Sequence, residues 1–218
     1  TYRVRATDDL GGFAEENITI TIEGKNDVPV IVGRGQQGLG FVTEAGHASD
    51  GSVMEGVPSA SGTLTVSEVD LTNTVSWSLH GSISSTYGAM AINGLTGEWT
   101  YTLNNSLAAT QALTEGVVVT QTYVARVTDN LGAYADQTLT ITINGSNDVP
   151  VVTNSTAATR ASVTEAGHTE DGGVVSGVST ASGTLTVSDV DAGATRSWSL
   201  QGAQSATYGT LVLDAATG

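Results

Sequence analysis

The chain repeats its own sequence with a period of 121 residues. This offset carries Tyr2 onto Tyr123, Asn26-Asp27-Val28-Pro29 onto residues 147–150, and Thr43-Glu44-Ala45-Gly46-His47 onto residues 164–168. No gap is needed to align residues 1–97 with residues 122–218, and about half of the aligned pairs are identical. A self-similar unit of this size predicts a tandem array of small domains, each large enough to bury its own core.

The alignment divides the chain into three parts. We interpret residues 1–25 as the last two strands of a truncated repeat and residues 26–146 as one complete repeat. Residues 147–218 then form the first four strands of the next repeat. The chain is therefore expected to be an excerpt of a longer polypeptide.

Strict alternation of apolar and polar residues marks the strands. In residues 138–143, Leu139, Ile141 and Ile143 alternate with threonines, and residues 18–22 follow the same pattern. Such a period of two is typical of half-buried strands. About seven such segments in one repeat predict an all-β fold, a series of immunoglobulin-like or cadherin-like antiparallel sandwiches.

Two further features complete the predicted domain. The tryptophans Trp77, Trp99 and Trp198 fall on the inward period of their strands, which indicates core packing rather than an exposed sugar platform. Residues 106–115 carry the one helical signal, a short connector for which Asn105 is the expected N-terminal cap.

Charge and composition exclude several classes of function. The formal net charge is −15 and there is no cysteine. Nucleic acid and anionic lipid both require a cationic surface, so we expect neither a nucleic-acid partner nor membrane insertion. The histidines His47, His80 and His168 are scattered, and His80 becomes Gln201 in the second copy. No catalytic constellation is visible, and an enzyme is not expected.

Acidic and amide residues are expected to converge at one end of the complete sandwich. Seven alternating strands bring the incoming linker, the loop after the second strand and the turn before the last strand to the same end. These segments supply Asn26, Asp27, Glu68, Asp70 and Asp129. Calcium prefers six to eight oxygen ligands of these types, so the pattern predicts a Ca²⁺ site.

The second linker repeats this pattern, with Asn147 and Asp148 opposite Asp189 and Asp191. Asp8 is the equivalent turn residue of the first, truncated unit. Glu44 and Glu165 follow an early strand and are expected near the opposite end of their repeats, where Glu44 would serve the next junction. The alternative is that these residues only form turns and linkers, since Asp and Asn are common there.

Several motifs resemble known repeats. Tyr123 to Gly132, followed by Asn147 to Pro150, resembles the end of a cadherin repeat. Gly62 to Asp70, Gly97 to Leu103 and Ile143 to Pro150 together resemble the VCBS-type repeats of giant bacterial RTX adhesins. In cadherins the positions that match Asp27, Asp70 and Asp129 bind calcium between domains. One departure is Glu68, which is Asp189 in the second copy.

The resemblance implies a calcium-rigidified extender module of a biofilm adhesin. Such a protein is exported by a type I system and retained at the bacterial cell surface, where it supports cell adhesion. The expected partners are the neighbouring repeats of the same chain, with surface glycan or a host ligand bound through other domains. Two alternatives stay open: direct binding of glycan or sister domains through residues 47–61, and a filament built head to tail by strand complementation.

Overall fold

A computed structural model describes residues 1–33, 37–155, 159–202 and 207–218. It confirms the all-β prediction, because strands form several sheets and the helical segment within the described residues is one turn long. No helix in this described part has both the length and the apolar character needed to cross a membrane.

The strands before and within the complete repeat have the following bounds: β1 Tyr2–Thr7, β2 Phe13–Ile18, β3 Val30–Val32, β4 Leu39–Thr43, β5 Gly46–His47, β6 Val53–Met54, β7 Ser59–Thr63, β8 Thr65–Ser67, β9 Val75–His80, β10 Gly88–Ile92, β11 Glu98–Leu103, β12 Val118–Asp129 and β13 Tyr134–Asn144. The helical turn α1 spans Ala108–Gln111. The second copy contributes β14 Val151–Val152, β15 Gly167–His168, β16 Val174–Val175 and β17 Val187–Ser188.

Two sheets face each other in the complete repeat. One has the order β4-β13-β12-β9, in which β4 runs parallel to β13 and the other pairs are antiparallel. The other has the order β10-β11-β7, and β3 pairs with β8, which continues β7 after Leu64. The incoming linker thus enters the repeat on a strand that pairs beside the loop carrying Glu68 and Asp70.

One hydrophobic core fills the space between these sheets. Within the described residues, the buried apolar side chains lie between Pro29 and Ile143, inside the predicted complete repeat. Leu139, Ile141 and Ile143 are fully buried, as their alternation predicts, and the Tyr101 and Tyr123 rings from opposite sheets lie 6.1 Å apart. Each fully buried aliphatic or aromatic side chain contributes on the order of 1.5–3 kcal/mol through removal from water.

The tryptophans follow the prediction where their sandwich is complete. Trp77 is 5% exposed and Trp99 is 1% exposed, while Trp198 in the second copy is only half-buried. The Trp99 indole N–H donates to the carbonyl oxygen of Gln37 at 2.8 Å, which satisfies its polar atom inside the core.

Two expectations about local structure were wrong. Residues 19–22 are not in a strand, because the hairpin register pairs Tyr2 with Ile18 and β1 has no further residues to pair with them. Asn105 does not cap α1: the N-cap residue is Leu107, which makes no side-chain capping bond. Instead the Asn104 side chain accepts a hydrogen bond from the Ser106 amide at 2.9 Å.

Candidate metal centre at the domain junctions

The first linker is bonded to the acidic loops of the complete repeat. The Asn26 amide Nδ2 donates to Asp129 Oδ2 at 2.8 Å, and the Asp27 backbone N–H donates to Asp70 Oδ2, also at 2.8 Å. The structure therefore brings together the three segments that the sequence placed at one end of the sandwich.

Asp129 is a buried carboxylate held mainly by its own turn. Its Oδ1 accepts the backbone N–H groups of Leu131 and Ala133, each at 2.9 Å. Burial alone would raise its pKa, but the hydrogen bonds from Asn26 and from these backbone amides outweigh it and lower the pKa of Asp129. Asp129 is thus charged at neutral pH and presents negative charge to the linker.

Asn73 is a member of this cluster that the sequence analysis missed. Its Nδ2 lies 2.8 Å from Asn26 Oδ1 and 3.2 Å from Asp70 Oδ2, so it links the linker to the acidic loop. The available signal was its place three residues after Asp70. An Asn at such a place is common in turns generally. The second copy has Ala194 at the equivalent position, so the repeat gave no further indication.

The second junction repeats the key contact. The Asp148 backbone N–H donates to Asp191 Oδ2 at 2.8 Å, which reproduces the contact between Asp27 and Asp70 one period later. Asp189 Oδ1 accepts the Asp191 N–H at 3.2 Å, and Glu68 Oε1 accepts the equivalent Asp70 N–H at 3.0 Å. The shorter Asp side chain and the longer Glu side chain therefore play the same part in the two loops.

Glu44 lies at the far end of the complete repeat, beside the second junction. It is fully buried, and its Oε2 accepts the Ser146 backbone N–H at 3.2 Å while Gln111 Nε2 lies 3.3 Å from Oε1. Its pKa is raised to about 7, mainly by burial and also by the nearby charges of Asp148 and Asp191, against the lowering effect of the hydrogen bonds with Ser146 and Gln111. Glu44 and the next acidic loop therefore share one electrostatic site.

His47 also lies at the second junction, although the sequence analysis described the histidines only as scattered. Its Nδ1 lies 3.5 Å from Asp148 Oδ1, and its backbone N–H donates to the carbonyl oxygen of Asn147 at 2.6 Å. This approach requires glycine at position 46, since a Cβ there would lie 2.5 Å from the Asn147 oxygen and 2.7 Å from the Ser146 Cβ. The start of β5 is thus pressed against the linker.

Two of the predicted site residues, Asp8 and Glu165, lie apart from these contacts, and the side chain of a third, Asn147, does not take part in them. Asp8 is exposed, and its Oδ1 accepts the backbone N–H groups of Leu10 and Gly12 within its own turn. Glu165 is exposed. The Asn147 side chain donates to the carbonyl oxygen of Asp148 in its own linker, at 3.0 Å. The contacts of Asp8 are therefore those of a residue that only forms a turn.

Several buried polar atoms at the junctions have no hydrogen-bond partner. At the second junction these are His47 Nδ1, Asp148 Oδ2 and Asp191 Oδ1, and at the first junction Glu68 Oε2. Burial raises the pKa of Asp148, as does the charge of Asp191, while His47 opposes both. Buried acceptors without donors are unfavourable, and a bound cation would satisfy them.

Within the described residues, no group of three or more His, Cys, Asp or Glu side chains is already arranged to hold a metal ion. The donor types nevertheless fit calcium, since the second junction offers carboxylate oxygens from Glu44, Asp148, Asp189 and Asp191.

A cleft of about 520 Å³ adjoins the second junction. Its lining includes the acidic residues Asp148, Asp189 and Asp191 and the apolar residues Val187 and Trp198. The equivalents of these apolar residues in the complete repeat are Val66 and Trp77, which pack in or against the core. The apolar lining residues thus occupy positions that belong to the core in the complete repeat, and the acidic lining residues belong to the junction already described.

No protein-family model matches the chain, and no curated protein matches its sequence.

Proposed function

We propose that the chain is part of a structural stalk whose domain junctions are stiffened by calcium. The observation that carries this proposal is the contact made twice, one period apart, between a linker backbone N–H and the second acidic residue of the acidic loop, which is Asp70 or Asp191. A contact repeated at each junction gives successive domains the same connection, as a regular extended array requires.

The acidic residues at the second junction indicate what a bound calcium ion would do there. Two carboxylates about 4 Å apart repel by about 4 kcal/mol at an effective dielectric constant of 20. Here Glu44 comes from one repeat, while Asp148 and Asp191 belong to the linker and the next repeat. A calcium ion bound by these oxygens converts repulsion across the junction into attraction, and the junction then bends less.

The wider biological setting belongs to the same proposal. The motifs similar to VCBS-type and cadherin repeats support a module of a secreted adhesin at the bacterial cell surface, where a stiff stalk would project a distal binding domain. Extracellular calcium modules have dissociation constants of about 0.1–1 mM. The array would therefore be flexible where calcium is scarce and stiff outside the cell.

Asp191→Asn tests the calcium site. The amide oxygen can keep the hydrogen bond from the Asp148 N–H, so the change removes charge with little change of shape. We expect calorimetry to show a calcium affinity for the second junction that is at least about tenfold lower, equivalent to about 1.4 kcal/mol.

Asp171→Asn is the matched control. Asp171 is an exposed aspartate bonded to Thr169 within a turn, and its loss should leave the calcium affinity unchanged. Equal calcium affinities for the wild type and Asp191→Asn, or no calcium binding by the wild type, would contradict the proposed site.

A further inference from the structure

The tripeptide Ile-Asn-Gly occurs twice in the complete repeat, at residues 92–94 and 143–145. An asparagine that precedes glycine can react with its own backbone, because the glycine nitrogen lies within reach of the asparagine Cγ and no Cβ shields it. The local structure decides whether this reaction proceeds. The two copies of the tripeptide therefore allow a direct comparison within one domain.

Asn93 lies in the turn between β10 and β11, and its side chain is exposed to water. Its Oδ1 accepts the backbone N–H groups of Leu95 at 2.9 Å and of Thr96 at 3.2 Å. These bonds hold the carboxamide against the backbone that follows it. They also place two donors on the oxygen that gains negative charge when Cγ is attacked, which lowers the barrier to attack.

The Gly94 nitrogen is available as the nucleophile. Its N–H makes no hydrogen bond with any described residue, whereas the Gly94 carbonyl oxygen accepts the Trp77 N–H at 2.8 Å. Attack by the Gly94 nitrogen on Asn93 therefore breaks no hydrogen bond of the turn at that nitrogen.

Asn144 has the opposite surroundings. It is the last residue of β13, where it pairs with Val118, and the Gly145 N–H donates to the carbonyl oxygen of Val117 at 2.9 Å. Gly145 is buried, and a Cβ there would lie 2.5 Å from the Thr114 carbonyl oxygen. Attack by the Gly145 nitrogen would break a hydrogen bond in a closely packed segment, so the fold protects this copy.

The second repeat shows that an aspartate fits the same turn. It has Asp214 and Ala215 at the positions equivalent to Asn93 and Gly94. Asp214 Oδ1 accepts the backbone N–H groups two and three residues further on, both at 2.8 Å, as Asn93 Oδ1 does in its own turn. The turn therefore keeps its hydrogen bonds when a carboxylate replaces the carboxamide.

We propose that Asn93 is a site of spontaneous deamidation through a cyclic succinimide formed with Gly94, and that the fold protects Asn144 from the same reaction. The Gly94 nitrogen bonds to Asn93 Cγ and loses its proton, and the bond from Cγ to Nδ2 breaks to release ammonia. Water then opens the succinimide at either carbonyl carbon, which leaves aspartate or isoaspartate at position 93. The reaction consumes only water, and it does not depend on the calcium proposal.

The two products have different consequences for the domain. Aspartate adds a negative charge and keeps the turn. Isoaspartate adds a carbon atom to the main chain of a turn that is bonded to Trp77 through the Gly94 carbonyl, so this product loosens the contact between the turn and β9.

The test is peptide mapping by mass spectrometry after incubation of the whole folded chain at mildly alkaline pH, which favours loss of the Gly94 amide proton. We expect Asn93 to convert at least about tenfold faster than Asn144, because only Asn93 has the two donors on Oδ1 beside an unbonded nitrogen. In denaturant the two copies of the tripeptide should convert at comparable rates, since the structure that separates them is lost.

Gly94→Ala should slow the conversion of Asn93 at least about tenfold, because the added Cβ shields the nitrogen. The variant should fold, since the second copy has Ala215 at this position. The nearest atom to the added Cβ is the Trp77 carbonyl oxygen at 3.2 Å, so a small shift of the turn accommodates it.

Leu95→Ala is the matched control. Leu95 is exposed, and the equivalent residue of the second copy is Ala216. This variant changes the same turn but keeps the Asn-Gly pair and the backbone donors, so Asn93 should convert as in the wild type. Thermal unfolding of both variants checks that they are folded.

An Asn93 that stays intact in the folded chain, or that converts no faster than Asn144, would overturn the inference. A preference for Asn93 that persists undiminished in denaturant would also overturn it, because the fold would then not be its cause. Conversion that is unaffected by Gly94→Ala would exclude the succinimide route. None of these results bears on calcium binding, which Asp191→Asn tests separately.

Discussion

Replacement of Trp77 by alanine should destabilise the complete repeat by about 3–5 kcal/mol, the usual effect of removing a buried tryptophan. Trp77 is 5% exposed and packs in the core between the two sheets. The loss leaves a large cavity that a sheet sandwich cannot close without shifting its strands. Chemical denaturation followed by circular dichroism measures the free energy of unfolding directly.

The second copy supplies the control for this experiment. Trp198 occupies the same repeat position but is only half-buried, because the described residues around it form a less complete sandwich. Trp198→Ala should therefore leave the main unfolding transition nearly unchanged. The interpretation of the repeat requires the core to lie within residues 26–146. Similar losses of unfolding free energy in the two variants would contradict it.

Without metal, the complete repeat should lose stability as the pH rises from about 4.5 to about 7. Glu44 has a pKa of about 7 in the folded protein against an ordinary value of 4.5. The folded state therefore holds this proton more tightly than the unfolded chain does. Between about pH 4.5 and pH 7 the unfolded chain has released the proton and the folded state has not, so the free energy of unfolding falls as the pH rises through this range. The shift corresponds to about 3 kcal/mol, and Asp148, whose pKa burial also raises, adds in the same direction.

Glu44→Gln should remove most of this pH dependence. The neutral amide keeps the size of the side chain and can accept the Ser146 N–H, but it does not titrate. Thermal unfolding at pH 5 and pH 8 in chelator gives the comparison, with Glu165→Gln as the control because Glu165 is exposed in the second copy. A wild type more stable at pH 8 than at pH 5 in chelator would refute the assignment.

The strands were largely predictable from sequence because their apolar residues alternate. Leu139, Ile141 and Ile143 are fully buried in β13, as the pattern indicates. Strand lengths were less predictable: β12 reaches from Val118 to Asp129 because it pairs with β13 along eleven residue pairs. Alternation reports burial of a face, whereas strand ends are set by the partner strands that are available.

The junction residues also fall into two groups, those that could be predicted from the sequence and those that could not. Asp27, Asp70, Asp148 and Asp191 were identifiable because the topology brings strand ends together and acidic residues recur there. The contributions of His47, Ser146 and Asn73 were not, since each depends on a close approach between segments that are far apart in sequence. The approach of His47 to the linker depends on the missing side chain of Gly46, which a sequence pattern does not reveal.

The central claim is that a divalent cation stiffens the connection between successive repeats. Small-angle X-ray scattering of the whole chain, in a few millimolar calcium and again in excess chelator, tests it most directly. We expect calcium to narrow the distribution of interatomic distances and lengthen the maximum dimension, and Asp191→Asn to lose this response. Identical scattering profiles in calcium and in chelator would contradict the account.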